Sequence, residues 1–237
     1  AIYEFDHEIN GYRKPYGTGS ISFKICNESI HSNLLKIFKR IAFIVLQNEK
    51  AKNKFPEMIE VNGSIFTMGD LHDLGSNDEL PLHKVTLSNF SIGKTEITVE
   101  QYKSYCIDTG VKMPKEPKWG WNTSEPIVNV SWKDAVNYCT WLSKKTNKNI
   151  SLPTEAQWEY AAKGGEFDIN RLYSGGSPGW HNINSNQKAH AVGLNKPNKL
   201  KLFDMSGNVA EWCLDWYDNK YYKNSPNNNN PINKQES

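Results

Sequence analysis

The sequence has no long apolar run and no excess of charge of one sign. Its most apolar stretch, residues 41–46, is far shorter than the about 20 apolar residues that a membrane-spanning helix needs. The 28 basic residues are nearly balanced by 26 acidic ones, for a net charge of +2. Proteins that bind nucleic acid usually carry a larger, clustered basic excess. We therefore expect no transmembrane segment and no nucleic-acid partner.

Cysteine is also scarce in this chain of 237 residues. The four cysteines are too scattered for a disulfide scaffold or a zinc cluster, and no Cys-x-x-Cys pair occurs. We expect them to behave as small buried apolar residues. Their number and spacing do not indicate whether the protein works in an oxidising or a reducing compartment. They are Cys26, Cys106, Cys139 and Cys213.

The sequence does contain enough apolar and aromatic material for a core, and it divides near residue 52. Apolar residues make up 38% of the chain, and 8 of its aromatic residues are tryptophan. Residues 1–52 predict an N-terminal extension, with a strand over residues 20–25 and an amphipathic helix over residues 30–45. This cationic helix could dock on a core or lie on a membrane surface. Residues 53–225 predict one domain, and residues 226–237 a mobile, Asn-rich tail.

Within the main domain, short strand signals alternate with well-capped helices. Asn62-Gly63 between two apolar segments predicts a β-hairpin of residues 58–61 and 65–68, and residues 84–87 predict a further strand. Capping boxes that begin at Thr98, Ser131 and Thr154 predict three helices. Long connections rich in Trp, Gly, Pro and Asn separate these elements, which favours an α+β fold with much irregular structure.

Six sequence motifs, taken in order, resemble the formylglycine-generating enzyme (sulfatase-modifying factor) family over roughly residues 56–222. One such motif would be weak evidence, whereas six in the order and spacing of the family are specific. They are Asn-Gly-Ser-Ile-Phe-Thr-Met-Gly (62–69), His-Lys-Val-Thr-Leu (83–87) with Glu-Ile-Thr (96–98), Pro-Ile-Val-Asn-Val-Ser-Trp (126–132), Asp-Ala (134–135) with Tyr-Cys (138–139), Leu-Pro-Thr-Glu-Ala-Gln-Trp-Glu-Tyr-Ala (152–161) and Gly-Asn-Val-Ala-Glu-Trp (207–212).

The resemblance implies a C-type-lectin-like α+β fold, but it leaves the function open because one fold can host unrelated sites. The family includes copper-dependent oxidases that convert a sulfatase cysteine to formylglycine. It also includes domains of sulfoxide-forming enzymes, lipoproteins and the hypervariable ligand-binding proteins of diversity-generating retroelements.

Two departures from the oxidase pattern favour a binding function. The oxidases hold Cu(I) with a pair of cysteine thiolates in a strand that lies C-terminal to the Gly-Asn-Val motif, and none of the four cysteines occupies that position. The sequence ends at Ser237, about where that strand would begin. Ala210 also stands where the oxidases typically carry tryptophan. We expect a non-catalytic, ligand-binding domain. The alternative is a copper-dependent formylglycine-generating oxidase presented without its C-terminal catalytic segment, since copper binding requires a further cysteine pair.

The segment from Asp204 to Glu211 has the composition of a calcium-binding turn. Calcium prefers six to eight oxygen ligands, and this segment offers carboxylates at both ends and a glycine between them. The resemblance implies a structural calcium ion held by the side chains of Asp204 and Glu211 and the carbonyl groups of Gly207 and Val209. The alternative is that Asp204 caps a short helix and that Glu211 pairs with a lysine.

Three tryptophans on Gly-rich loops are candidate ligand contacts, namely Trp119, Trp121 and Trp180. Four others fall within helix or strand patterns and are expected in the core, namely Trp132, Trp141, Trp158 and Trp212. The expected partner is a protein or carbohydrate ligand. The first residues lack the features of a signal peptide, but the family resemblance implies an exported or cell-surface protein.

Overall fold

The computed structural model describes residues 34–43, 54–165, 167, 172–224 and 228–234. The chain divides into two units, Ala1–Lys52 and Asn53–Ser237. In the first unit, residues 34–43 form helix α1, within the predicted helix, while the predicted strand over residues 20–25 lies outside the described residues. None of the helices in these described ranges is both long and apolar enough to cross a membrane.

The second unit begins with four strands, β1 Met58–Val61, β2 Ile65–Met68, β3 His83–Thr86 and β4 Phe90–Gly93. The predicted hairpin of β1 and β2 is wrong, because β1 pairs antiparallel with β4 and β2 with β3. The register of the β2–β3 pairing directly continues that of the β1–β4 pairing. The two sheets therefore form one antiparallel ribbon that is interrupted between β1 and β2.

Gly63 is needed at the interruption for close approach and not for a tight turn. A Cβ atom there would lie 2.1 Å from the carbonyl oxygen of Leu87. The amide of Gly63 donates instead to Asn89 Oδ1 at 3.0 Å, and the amide of Leu87 donates to the Ser64 carbonyl. The Asn-Gly dipeptide therefore lets β1 pass into β2 along the ribbon, with no reversal of chain direction.

The three predicted helices are confirmed with their caps. They are α2 Val99–Thr109, α3 Trp132–Thr146 and α4 Glu155–Ala162, followed by a single turn, α5 Tyr221–Asn224. The side chains of Thr98, Ser131 and Thr154 each accept a hydrogen bond from a backbone N–H of the first turn. In return, the side chain at the third helical position accepts a hydrogen bond from the backbone N–H of the capping residue. These local bonds satisfy amide groups that have no partner within the helix.

The core consists of three buried clusters. One joins the ribbon to α4 through Val61, Phe66, Val85 and Tyr160. A second, aromatic cluster joins α2 to α3, where Tyr102 stacks on Tyr138 with ring centroids 5.6 Å apart. The third is formed by Ala161, Leu202 and Met205, and it secures the irregular segment that follows α4.

Much of the second half of the domain is irregular, as the sequence predicts. Between α4 and α5 the described residues contain no strand and a single 3-10 turn, Ser174–Gly176. Near the C-terminus, residues 228–230 lie beside β3, where the amide of Thr86 donates to the carbonyl of Asn228 at 2.7 Å. Asn228 and Asn230 thus pair with the backbone of Thr86, and mobility over residues 226–237 stays a prediction.

Candidate functional site

The turn from Asp204 to Glu211 is the centre of the candidate site. Its backbone takes left-handed or glycine-like angles at Asp204 (φ 56°), Gly207 (φ 112°) and Asn208 (φ 61°). At Gly207 an added Cβ would lie 2.2 Å from the carbonyl oxygen of Trp180, so this position requires glycine. These backbone angles keep the peptide groups of the turn close to the loop that contains Trp180.

Asn208 connects the turn to its surroundings, although the sequence analysis predicts no role for it. Its backbone N–H donates to the Trp180 carbonyl at 2.8 Å, and its side-chain oxygen accepts from the His190 amide at 2.9 Å. Its side-chain amide donates to Glu96 Oε1 at 3.0 Å and to the His190 carbonyl at 3.2 Å. The signal available in the sequence was its place inside the Gly-Asn-Val motif.

Asp204 is buried at the start of the turn and caps no helix. Its Oδ2 accepts from the Gly193 amide at 2.6 Å, and its Oδ1 accepts from the Asn195 side-chain amide at 3.0 Å. Glu211, at the other end, makes no ion pair with any lysine that the structure describes. The structural alternative drawn from the sequence, a helix cap and a lysine pair, is therefore wrong for both residues.

Three carboxylates lie close enough to affect one another, and Glu96 is the one that sequence reasoning missed. Burial, followed by the charges of Glu211 and Asp204, raises the pKa of Glu96 to about 8. Glu211 is exposed as a residue. The partial removal of its carboxyl group from water, together with the charge of Asp204, raises its pKa to about 7. Buried carboxyl groups that raise one another's pKa are common at functional sites, and a bound cation would favour their ionised forms.

A cavity of about 190 Å³ adjoins Glu96 and Glu211. The ribbon, α3 and the loop at residues 150–153 form much of its apolar lining, and residues 209–212 also line it. Ala210 and Trp212 are both exposed there. The expectation that Trp212 belongs to the core is wrong, because 49% of its surface is exposed and its indole N–H donates to the Val130 carbonyl.

The cysteines of the described region are poor ligands for copper. Cys106, Cys139 and Cys213 are free thiols. Burial raises the pKa of Cys139, which lines the cavity, to about 11 and that of Cys213 to about 12. Copper(I) needs thiolates, and no group of three or more His, Cys, Asp or Glu side chains converges as a metal site in the part of the chain that the structure describes. The described residues do not fit a copper centre.

The three tryptophans predicted as ligand contacts lie apart from the cavity walls. Trp119 is 41% exposed on a turn, and the backbone amide of Trp121 donates to Glu116. Trp180 is half-buried and stacks on His190 with ring centroids 3.9 Å apart, so one face of its indole is already covered. Their contact with a ligand stays a prediction, while the tryptophan at the cavity is Trp212.

The interrupted ribbon, the capped helices and the long irregular segment define an α+β domain of the C-type-lectin-like kind. The chain belongs to the family of the sulfatase-modifying factor enzyme 1-like domain, which matches residues 45–235. Its structure is similar to that of PvdO from Pseudomonas aeruginosa, with a TM-score of 0.65 and 31% identity over 78% of this chain and 79% of that chain. It is also similar to Treponema denticola variable protein 1, with a TM-score of 0.56 and 27% identity over 68% and 73% of the two chains.

Curated relatives include proteins described in different ways. The serine/threonine-protein kinase pkn1 of Chlamydia pneumoniae is 32% identical over 70% of this chain and 29% of its own length. The formylglycine-generating enzyme of Streptomyces coelicolor is 29% identical over 71% of each chain. The chain spans about a third of the length of this Chlamydia pneumoniae protein and of a Chlamydia trachomatis protein that is also described as serine/threonine-protein kinase Pkn1. Family membership therefore leaves catalytic and non-catalytic roles open.

Proposed function

We propose that residues 53–225 form a non-catalytic, lectin-like binding domain for a protein or carbohydrate ligand. The observation that supports this most directly is the cavity beside the Asp204–Glu211 turn. Its walls are apolar, Ala210 stands where the resemblance places tryptophan in the oxidases, and the cavity-lining thiol of Cys139 is held in its protonated form. These features suit the binding of a ligand better than oxygen chemistry on copper.

The alternative is a copper-dependent formylglycine-generating oxidase, which the 29% identity to the Streptomyces coelicolor enzyme favours. The test is an oxidation assay on the full gene product, loaded with Cu(I), with a cysteine-containing sulfatase peptide as the substrate. We expect no aldehyde product by mass spectrometry. Copper-dependent turnover would overturn the binding proposal, and a heat-inactivated sample controls for spontaneous oxidation.

We also propose a structural calcium ion at the turn, held by the side chains of Asp204 and Glu211 and the carbonyl groups of Gly207 and Val209. The donors are all oxygen, as calcium requires. Both side-chain oxygens of Asp204 already accept one hydrogen bond, and a carboxylate retains further lone pairs for a metal. A dication would also offset the mutual repulsion of Glu96, Asp204 and Glu211.

Thermal unfolding in calcium and in chelator tests this second proposal. A ligand present at about 100 times its Kd stabilises the native state by about 2.7 kcal/mol, which corresponds to about 5–11 °C in Tm for a domain of this size. We expect Asp204→Ala and Glu211→Ala to abolish this increment, and Glu60→Ala, an exposed carboxylate of β1, to retain it. Equal Tm values for the wild type with and without calcium would remove the ion from the proposal.

A further inference from the structure

Helix α1, residues 34–43, has a row of large apolar side chains that remain exposed. Leu34 is 37% exposed, Ile37 53% and Ile41 51%. Their spacing of three and four residues places them on one side of the helix, which we call the apolar face of α1. Single exposed apolar residues are ordinary, whereas several on one face indicate an interaction surface.

The opposite side of α1 is basic. Lys36, Lys39 and Arg40 are exposed there, and we call these three residues the basic face of α1. The sequence contains no acidic residue over positions 29–48, so no acidic side chain of this segment offsets their charge. Phe43, the last described residue of the helix, is also exposed on this side. An apolar face opposed by a cationic one is typical of helices that lie in a membrane interface.

Length and charge together indicate which surface α1 contacts. Residues 34–43 span about 15 Å, half of the ~30 Å hydrocarbon core of a bilayer, so α1 can lie on a membrane but not cross it. A second copy of α1 on the apolar face would bring three more positive charges and no complementary ones. Anionic lipid headgroups supply the complementary charge, and the acyl chains beneath them supply an apolar environment. The long stems of Lys and Arg let their charged ends reach the headgroups.

We propose that α1 binds the surface of a membrane that contains anionic lipids. Leu34, Ile37 and Ile41 contact the acyl chains at the interface, and the basic face contacts the headgroups. Each basic residue close to an anionic surface strengthens binding about fivefold, so the three together contribute about 100-fold. This inference goes beyond the proposed function, because it concerns the first unit and not the ligand-binding domain. Attachment by one short helix is reversible.

Co-sedimentation of the full chain with lipid vesicles tests the inference. Vesicles of equal parts phosphatidylserine and phosphatidylcholine are compared with vesicles of phosphatidylcholine alone, at low salt and in chelator so that calcium cannot bridge protein and lipid. We expect binding about 100-fold tighter to the anionic vesicles, and Gln at all three positions of the basic face should abolish this preference. The matched control is Gln at Lys112, Lys115 and Lys118, which are exposed in the second unit and carry the same total charge. This control should retain the preference.

The apolar face is tested with Ile37→Gln and Ile41→Gln together. Gln favours a helix at least as well as Ile, so the change removes apolar contact without lowering helix propensity. It should weaken binding to the anionic vesicles at least ~10-fold, because two side chains lose their contact with the acyl chains. Ile107→Gln with Ile183→Gln is the matched control, at positions of the second unit that are 76% and 86% exposed, and it should leave binding unchanged.

Several results would overturn the inference. They are an absence of vesicle binding, equal binding to both kinds of vesicle, and equal losses of binding in the variants and their matched controls. A dimer in light scattering that Ile37→Gln with Ile41→Gln dissociates, without vesicle binding, would assign the apolar face to a second copy and would also overturn it. The copper assay and the calcium-dependent Tm test the proposed function separately.

Discussion

Gly207→Ala gives the strongest test of how the candidate site is built. Gly207 has φ 112°, outside the left-handed helical region that other residues visit, and the new Cβ would meet the Trp180 carbonyl oxygen at 2.2 Å. The backbone strain alone costs about 1–3 kcal/mol. Relief of the clash must move the Trp180 carbonyl away from the Asn208 amide, and loss of that 2.8 Å hydrogen bond costs about 1–3 kcal/mol more.

The expected total is about 2–6 kcal/mol, which lowers Tm by about 4–24 °C for a domain of this size. Gly110→Ala is the matched control, because Gly110 has φ 77° at the end of α2 and nothing within 4 Å of the added Cβ. It should cost only about 1–2 kcal/mol, the left-handed backbone penalty. Thermal unfolding followed by circular dichroism compares the two. Equal losses of Tm would refute the argument that the Trp180 contact makes glycine necessary.

Two further predictions concern the core and the buried carboxylate. Leu202→Ala should lower the unfolding free energy by about 2–5 kcal/mol in urea titrations, because Leu202 is 1% exposed, whereas Leu194→Ala at a 64% exposed position should change it by less than ~0.5 kcal/mol. Similar losses at both positions would contradict the packing of the third cluster. Burial raises the pKa of Glu96 from an ordinary value of 4.5 to about 8, so the native state holds a proton that the unfolded chain has released between these pH values. The contribution of Glu96 to stability is therefore full below about pH 4.5 and is lost as pH rises to about 8. Glu96→Gln should flatten the decline of Tm between pH 5 and 8 in chelator, and an unchanged slope would contradict this assignment.

The elements that the sequence predicted correctly depend on local interactions. The caps at Thr98, Ser131 and Thr154 are formed within four residues of chain, so their residue types suffice to place the starts of α2, α3 and α4. The hairpin at Asn62-Gly63 failed because the same dipeptide that suits a turn also suits close approach between two chain segments. Only the position of Leu87 decides between these two uses of glycine.

The candidate site divides in the same way. The turn from Asp204 to Glu211 is recognisable from its own residues, because a carboxylate, a glycine and a second carboxylate at short spacing belong to one continuous segment. Glu96 lies more than 100 residues earlier in the chain, and its side chain reaches the turn only through the bond from Asn208. Glu96 belongs to the Glu-Ile-Thr motif at residues 96–98, but that motif does not indicate which distant residue Glu96 contacts, so the site could be predicted only in part.

The sequence by itself determined the family, the α+β composition, the capped helices and the acidic turn, since each depends on residues close together in the chain. The tertiary structure alone decided the pairing of β1 with β4, the exposure of Trp212 and the meeting of Glu96 with Glu211 at one cavity. These features depend on which distant segments pack together. Burial and neighbouring charge, which set the pKa of Glu96, exist only once those segments have packed.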